Sequence, residues 1–219
     1  RGIRKDKIEV ITNGSNMELF YPREADTYLL NSLVLKGKFV VGYIGTHGMA
    51  HSLDFIVRSI ARVSDPSIHF LFIGDGAMKR KIVKISKELQ LKNISFIDPV
   101  SKDEVPKYLS IIDISLAPLK KDDNFKTVIP SKIFESSAMQ KPTLLGVQGQ
   151  AQEILDKYGA GICFEPENEV DFIEKLSILR DVSFYQKCQD GCADLAADYD
   201  RKKLADKMLD VIDKIVKDQ

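Results

Sequence analysis

Glu135 sits in "VIPSKIFESSAMQKPTLLGV" (128–147), four residues after Ser131. A Pro-Ser pair opens this stretch as a helix, and a Lys-Pro pair closes it before an apolar strand. At the α-helical repeat of about 100° per residue, Ile133, Phe134, Ser137 and Ala138 share the face that packs inward. Ser131 and Glu135 fall together at the rim of that face, in the first turn. A carboxylate there can accept two hydroxyl hydrogen bonds, which suits a ribose diol. It is also favoured by the helix dipole with no ligand at all. The residue types alone leave both readings open.

Other candidates follow apolar runs. "GYIGTHGMAHSLD" (42–54) offers Gly45 and Gly48, where backbone could approach a ligand closely. The helix after it could turn free N–H groups toward a phosphate. Thr46, His47 and His51 are side-chain donors in or just after that loop. "GDGAMKRK" (74–81) places Gly74 and Asp75 at a second strand end, with Asp75 expected as a helix cap or turn former. Lys79, Arg80 and Lys81 read as a solvated helix face. In "DPVSKDEV" (98–105), Ser101 and Glu104 have capping-box spacing, and Asp98, Pro99 and Val100 could flank a base. Lys120 and Lys121 follow a fourth strand in "LAPLKKDD" (116–123). The spaced G-x-G-x-x-G fingerprint and the Walker sequence are both absent, so neither a nicotinamide site nor a P-loop is expected.

The elements that must position these residues alternate. Strands are expected at 38–45, 68–73, 94–98, 114–119, 142–147 and 161–166, with helices at 53–63, 78–90, 103–112, 131–139 and 151–159. The strands are short, continuously apolar and rich in Val, Ile and Phe, as when helices cover both faces of a parallel sheet. This predicts an α/β, doubly wound, Rossmann-like sheet of about six strands, which binds ligands at the carboxyl ends of the strands near the switch point. Residues 1–168 form that domain. From 169 to 219 the pattern is purely helical, and Leu204, Met208, Val211, Ile212 and Ile215 make one apolar stripe.

Composition excludes several classes. Thirty-two basic residues balance thirty-two acidic ones in 219, so the chain lacks the basic excess of a nucleic-acid binder. No apolar run approaches the roughly 18 residues of a membrane span. The chain opens on "RGIRKDK" without Met, so a fragment is expected, and no signal peptide is visible. Cys163, Cys188 and Cys192 lack zinc-site spacing and read as reduced small hydrophobes of a cytosolic protein.

Six segments in order resemble the C-terminal, donor-binding half of a GT-B glycosyltransferase of retaining family 4, glycosyl transferases group 1. They are "VITNGSNMELFYP" with Asn13 and Gly14, "YIGTHGMAHSLDFIV", "FLFIGDGAMKRKI", "ISFIDPVSKDEVPKYLSIIDISLAPL", "PSKIFESSAMQKPTLLG" and "GQAQEILDKYGAGICFEPEN". The resemblance implies that Gly45 and its loop lie beside a diphosphate and that Asp98 to Val100 pass the nucleobase. It places the N–H groups of Ser131 and Lys132 on the diphosphate or sugar and Glu135 on the ribose hydroxyls. Gly149 and Glu153 become a structural turn. Two departures stand out. Thr127 occupies the place of the first Glu of the family's E-x7-E motif, and Thr46 and His51 occupy places that often hold Arg and Lys. Charge stabilisation then falls to Lys120 or Lys132.

The variant pattern resembles enzymes of bacterial capsule, O-antigen or lipopolysaccharide synthesis. It implies a UDP-sugar donor, no cofactor and no obligatory metal. The acceptor, a lipid-linked or other glycan, would bind a missing N-terminal domain. The location would be cytoplasmic, including the inner face of the membrane, where the whole protein could associate peripherally. The alternatives are a sugar-nucleotide epimerase of the same architecture and a non-catalytic nucleotide-sugar-binding module.

Overall fold

The computed structural model describes residues 2–4 and 7–217. Six strands form one parallel sheet: β1 (Phe39–Ile44), β2 (Ile68–Ile73), β3 (Ile94–Ile97), β4 (Ile114–Pro118), β5 (Thr143–Gly146) and β6 (Gly161–Cys163). Their spatial order is β3-β2-β1-β4-β5-β6, every neighbouring pair parallel. The order reverses between β1 and β4. Chain leaving these two strands therefore diverges to opposite sides and opens a crevice at their carboxyl ends.

Alternation along the strands divides the core. Val41, Tyr43, Phe70, Phe72, Ile114, Leu116 and Leu144 face α2 (Leu53–Ile60), α3 (Lys79–Glu88) and α7 (Glu169–Ile178). Val40, Leu71 and Ile73 face α1 (Thr27–Ser32) and α4 (Val105–Ser110). On that same side Ala117 and Leu145 face α5 (Lys132–Ala138), α6 (Gln150–Tyr158) and α8 (Val182–Asp198). Both faces are covered, so the central strands are mostly apolar, with His69, Ser115 and Thr143 as the polar exceptions. The edge strands β3 and β6 are only half-buried throughout. Gly42 lies mid-strand in β1 because a Cβ there would come within 2.6 Å of Ile112 Cγ2.

α1 is a short helix absent from the periodic reading; Asp26 caps it by accepting from the Leu29 N–H at 2.7 Å. The last helix, α9 (Arg201–Lys217), buries none of its residues. Its stripe was expected to pack on the parent domain or on a missing N-terminal one, and Met208, Ile212 and Ile215 stay about half exposed. α7 and α8, by contrast, pack on the sheet domain through Phe172, Leu176, Cys192 and Leu195. All three cysteines are free thiols. No helix among the described residues is long and apolar enough to cross a membrane.

Candidate functional site

Two adjoining hollows, of about 340 and 250 Å³, occupy the switch-point crevice. Ile44, Gly45, Thr46 and Val105 line both. The first continues along Gly74, Asp75, Pro99 and Val100 at the ends of β2 and β3. The second continues along Ser115, Ser131, Lys132, Glu135 and Ser136. Nine of the fourteen expected residues thus converge on one crevice.

Glycines allow the floor to form. Gly45 has φ +141°, and a Cβ there would sit 2.8 Å from Lys132 Nζ. Gly74 has φ +136°, and a Cβ there would overlap the Gly45 carbonyl oxygen. The β1 and β2 loops therefore touch backbone to backbone, tied by the His47 N–H donating to the Asp75 carbonyl at 2.7 Å. The Thr46 and Gly48 N–H groups have no acceptor among the described residues, nor do those of Ser131 and Lys132.

Lys132 and Glu135 are the charged walls. Lys132 Nζ lies 4.9 Å from the Tyr43 ring centroid, a cation–π contact, and pairs with no carboxylate among the described residues. Burial pushes its pKa down and nearby Glu135 opposes this. Burial pushes the Glu135 carboxyl up, against the pull of Lys102, Lys132 and Arg201. The Glu135 carboxylate accepts no hydrogen bond among the described residues, so both groups are partly desolvated without the partners that normally compensate.

Tyr43 was absent from the sequence reading. It is fully buried, its hydroxyl donates to the Thr46 carbonyl at 2.6 Å, and its ring carries both Lys132 and, at 5.9 Å, the edge of His51. The available signal was a phenol in an otherwise apolar strand two residues before a glycine, because a buried tyrosine hydroxyl needs an acceptor. His51 is held below its ordinary pKa by burial and by Lys132; it is neutral at pH 7.

The remaining expected residues are placed differently. His47 has no exposed surface; its ring packs between Tyr43 and Phe72, both nitrogens lack partners, and burial lowers its pKa to about 4. Its side chain does not reach the crevice. Asp75 does not cap α3, which follows Met78 without a side-chain cap; it instead accepts from the Gly76 N–H at 2.8 Å as a turn former. Asp98 points to solvent, 94% exposed, and pairs with Lys79 at 2.7 Å. Lys79 is no solvated charge: its ammonium also donates to the Gly74 and Ile97 carbonyls and staples two strand ends. The start of α2 is occupied by its own Asp54 carboxylate. Burial opposes ionisation there, but Lys81 and the Asp54 and Phe55 N–H groups outweigh it. Lys120 lines a separate hollow with Lys121, Asp123 and Lys126. Glu104 accepts from both the N–H and the hydroxyl of Ser101, one half of the expected capping box. Gly149, with φ +84°, packs against the Lys126 carbonyl, where a Cβ would overlap it; Glu153 is exposed.

A six-stranded parallel sheet whose order reverses between β1 and β4, with helices on both faces, defines the Rossmann-like class of α/β domain. The chain belongs to the glycosyl transferases group 1 family, whose profile matches residues 38–181. It is similar to the Bacillus subtilis teichuronic acid biosynthesis glycosyltransferase TuaH, 30% identical over 171 residues, which are 77% of this chain and 41% of TuaH. It shares its fold with Anabaena HepE, solved with UDP and glucose (TM-score 0.78, 17% identity, 97% of this chain and 59% of HepE). It also superposes on the C-terminal domain of the group 1 protein LpcC from Francisella tularensis (TM-score 0.69, 19% identity, 86% of this chain and 100% of that domain). The chain thus spans about two-fifths of the curated relative, and its architecture is one half of a GT-B glycosyltransferase fold.

Proposed function

We propose that this chain is the donor-nucleotide half of a retaining glycosyltransferase that takes a UDP-sugar. The observation that carries the reading is the pair Lys132 and Glu135, desolvated, unpartnered and three residues apart on the wall of the switch-point crevice. Glu135 accepts the two ribose hydroxyls. Lys132, with the Thr46 and Gly48 N–H groups and those of Ser131 and Lys132, meets the diphosphate. Pro99 and Val100 flank the base in the first hollow. UDP in the HepE complex and the polysaccharide name of TuaH support this choice of nucleotide and a role in bacterial surface polysaccharide synthesis.

In the transfer step, the bond from the anomeric carbon to the diphosphate oxygen breaks and negative charge accumulates on the departing diphosphate. A fixed ammonium and oriented N–H groups in a partly dry crevice favour that charge more than they favour the bound sugar, which is the source of acceleration. No metal is required for that role in this reading. The acceptor half belongs to the rest of a longer protein. The uncovered apolar face of α9, together with exposed Ile8 and Val10, is where it docks. Glu9 pairs with Lys207 at 2.5 Å, so these two segments already form one surface.

Calorimetric titration with UDP, GDP and ADP tests the reading. UDP should bind at micromolar to submillimolar concentration and more tightly than the others. If no nucleotide binds below about millimolar, a free energy of roughly 4 kcal/mol, the chain is not a donor domain.

A further inference from the structure

The loop from Gly45 to Gly48 is pinned from behind. The Tyr43 hydroxyl donates to the Thr46 carbonyl at 2.6 Å, and the His47 N–H of the same peptide donates to the Asp75 carbonyl at 2.7 Å. The next carbonyl, that of His47, accepts from the Met78 N–H at 2.8 Å. Gly76 lets the β2 loop come this close, since a Cβ there would lie 2.6 Å from the His47 carbonyl oxygen. Both groups of the Thr46–His47 peptide, and the carbonyl of the one after it, are thus engaged within the protein. The Thr46 and Gly48 N–H groups remain as the loop's free donors among the described residues.

Tyr43 also holds the cation. Its ring is on the α2 side of the sheet, whereas Lys132 comes from α5 on the opposite side. The lysine side chain therefore crosses the carboxyl end of β1 over Gly45, where a Cβ would lie 2.8 Å from Nζ and 3.1 Å from Cε. It ends 4.9 Å from the Tyr43 ring centroid. An ammonium on a flexible four-carbon stem has many rotamers, so a fixed aromatic face beneath it removes disorder that a bound anion would otherwise have to remove. Tyr43 has no exposed surface and its ring packs against Phe72, His47 and His51, so that face is held in place. One side chain thus touches both the loop and the cation. A phenylalanine could supply only the second contact.

We propose that Tyr43 is a positioning residue for the diphosphate: its hydroxyl holds the Thr46 carbonyl and its ring holds the Lys132 ammonium over Gly45, so that the ammonium and the Thr46 and Gly48 N–H groups form one anion site set before the ligand arrives. Donors fixed in advance cost no reorganisation when charge develops on the leaving diphosphate. The inference rests on the reading of Lys132 and the loop N–H groups as diphosphate contacts. It adds that they act together, through a residue buried beneath them.

The test compares the binding of UDP with that of uridine, which lacks the phosphates, and follows the Lys132 Cε–Hε signals of the nucleotide-free protein by NMR. Tyr43→Phe keeps the ring and loses the hydroxyl. UDP affinity should fall about 3–10-fold, uridine affinity should hold, and the ring-current shift of Lys132 should persist. Tyr43→Leu removes both contacts. UDP affinity should fall further, about 10–30-fold, and the Lys132 signals should move to those of an ordinary lysine. The proposal is overturned by a Tyr43→Phe protein with the wild-type ratio of UDP to uridine affinity, the result of a purely structural role. Lys132 signals that are the same in Tyr43→Leu and wild type overturn it too. Should Tyr43→Leu fail to fold, Tyr43→Phe decides by the ratio alone. If Lys132→Met keeps the wild-type ratio, the diphosphate reading of Lys132 falls and this inference with it. If Lys132→Met lowers the ratio and Tyr43→Phe does not, that reading stands and only the role of Tyr43 falls.

Discussion

The two ends of the sheet each hold a half-buried acid and a half-buried lysine, and they differ in one respect. At the amino end, Asp113 accepts from the Val40 N–H at 2.7 Å, its own N–H donates to the Val40 carbonyl, and its carbonyl accepts from the Tyr185 hydroxyl. Lys141 beside it donates to the Ser110 carbonyl at 3.3 Å. At the carboxyl end, the Glu135 carboxylate and the Lys132 ammonium are desolvated in the same way but make no hydrogen bond among the described residues. Burial raises both acids and lowers both lysines. The amino-end pair contributes to the fold by closing hydrogen bonds at the start of β1 and β4. The carboxyl-end pair costs stability, a cost that a ligand with hydroxyls and negative charge would offset.

The largest effect that would sharpen this contrast is on stability. Asp113→Ala leaves the Val40 N–H without its side-chain acceptor and Lys141 without its neighbouring charge. Unfolding followed by circular dichroism should show a loss of about 2–3 kcal/mol, or roughly 4–12 °C in Tm, with the UDP affinity of the folded protein unchanged. A loss of UDP binding equal to that of the Glu135 variants would erase the distinction between the two ends.

Glu135→Gln should do the reverse. UDP affinity should drop by about 1–3 kcal/mol, some 5- to 150-fold, while Tm at pH 7 stays the same or rises. If Tm instead falls as far as in Asp113→Ala, Glu135 is a structural acid. Lys132→Met should weaken UDP by about 1–2 kcal/mol and uridine hardly at all, because it removes charge opposite the diphosphate. Equal weakening of both would move Lys132 away from the phosphates.

The smallest effect is the pH dependence. Burial raises the folded Glu135 pKa above its ordinary value. Its contribution to stability is therefore fully present below the unfolded value, near 4.3, and is lost as pH rises through the folded value. Any Tm gain of Glu135→Gln should thus appear at pH 7 and vanish near pH 4. UDP affinity should decline as pH falls through the same folded value, at a pH above that of an ordinary glutamate. A stability gain that persists at pH 4 would refute the assignment.

Much of the crevice was legible in the chain because its components are local. Gly45 and Gly74 announce strand ends, Ser131 and Glu135 share a helical rim, and the alternation of strands and helices brings both to one edge of a parallel sheet. Other residues were misplaced where the outcome depends on the neighbouring element. His47 and Gly48 are adjacent, yet the ring of His47 turns inward between Tyr43 and Phe72 while Gly48 keeps a free N–H. Lys79 read as solvated because its three acceptors come from the ends of β2 and β3, 5 to 19 residues away. The α9 stripe left open whether the parent domain or a missing one covers it, because periodicity reports an apolar face, not its partner.

The sequence by itself determined the alternation of a parallel sheet and the presence of a carboxylate at the rim of α5, since hydrophobic period and turn residues act over a few positions; the strand order, and with it the switch point, came from the structure. Only the tertiary structure decided which charges there have partners. That depends on contacts such as Tyr43 beneath Lys132, which packing brings together from distant parts of the chain. Burial and partnering are properties of the packed assembly, and they separate a structural ion from one left to meet a ligand.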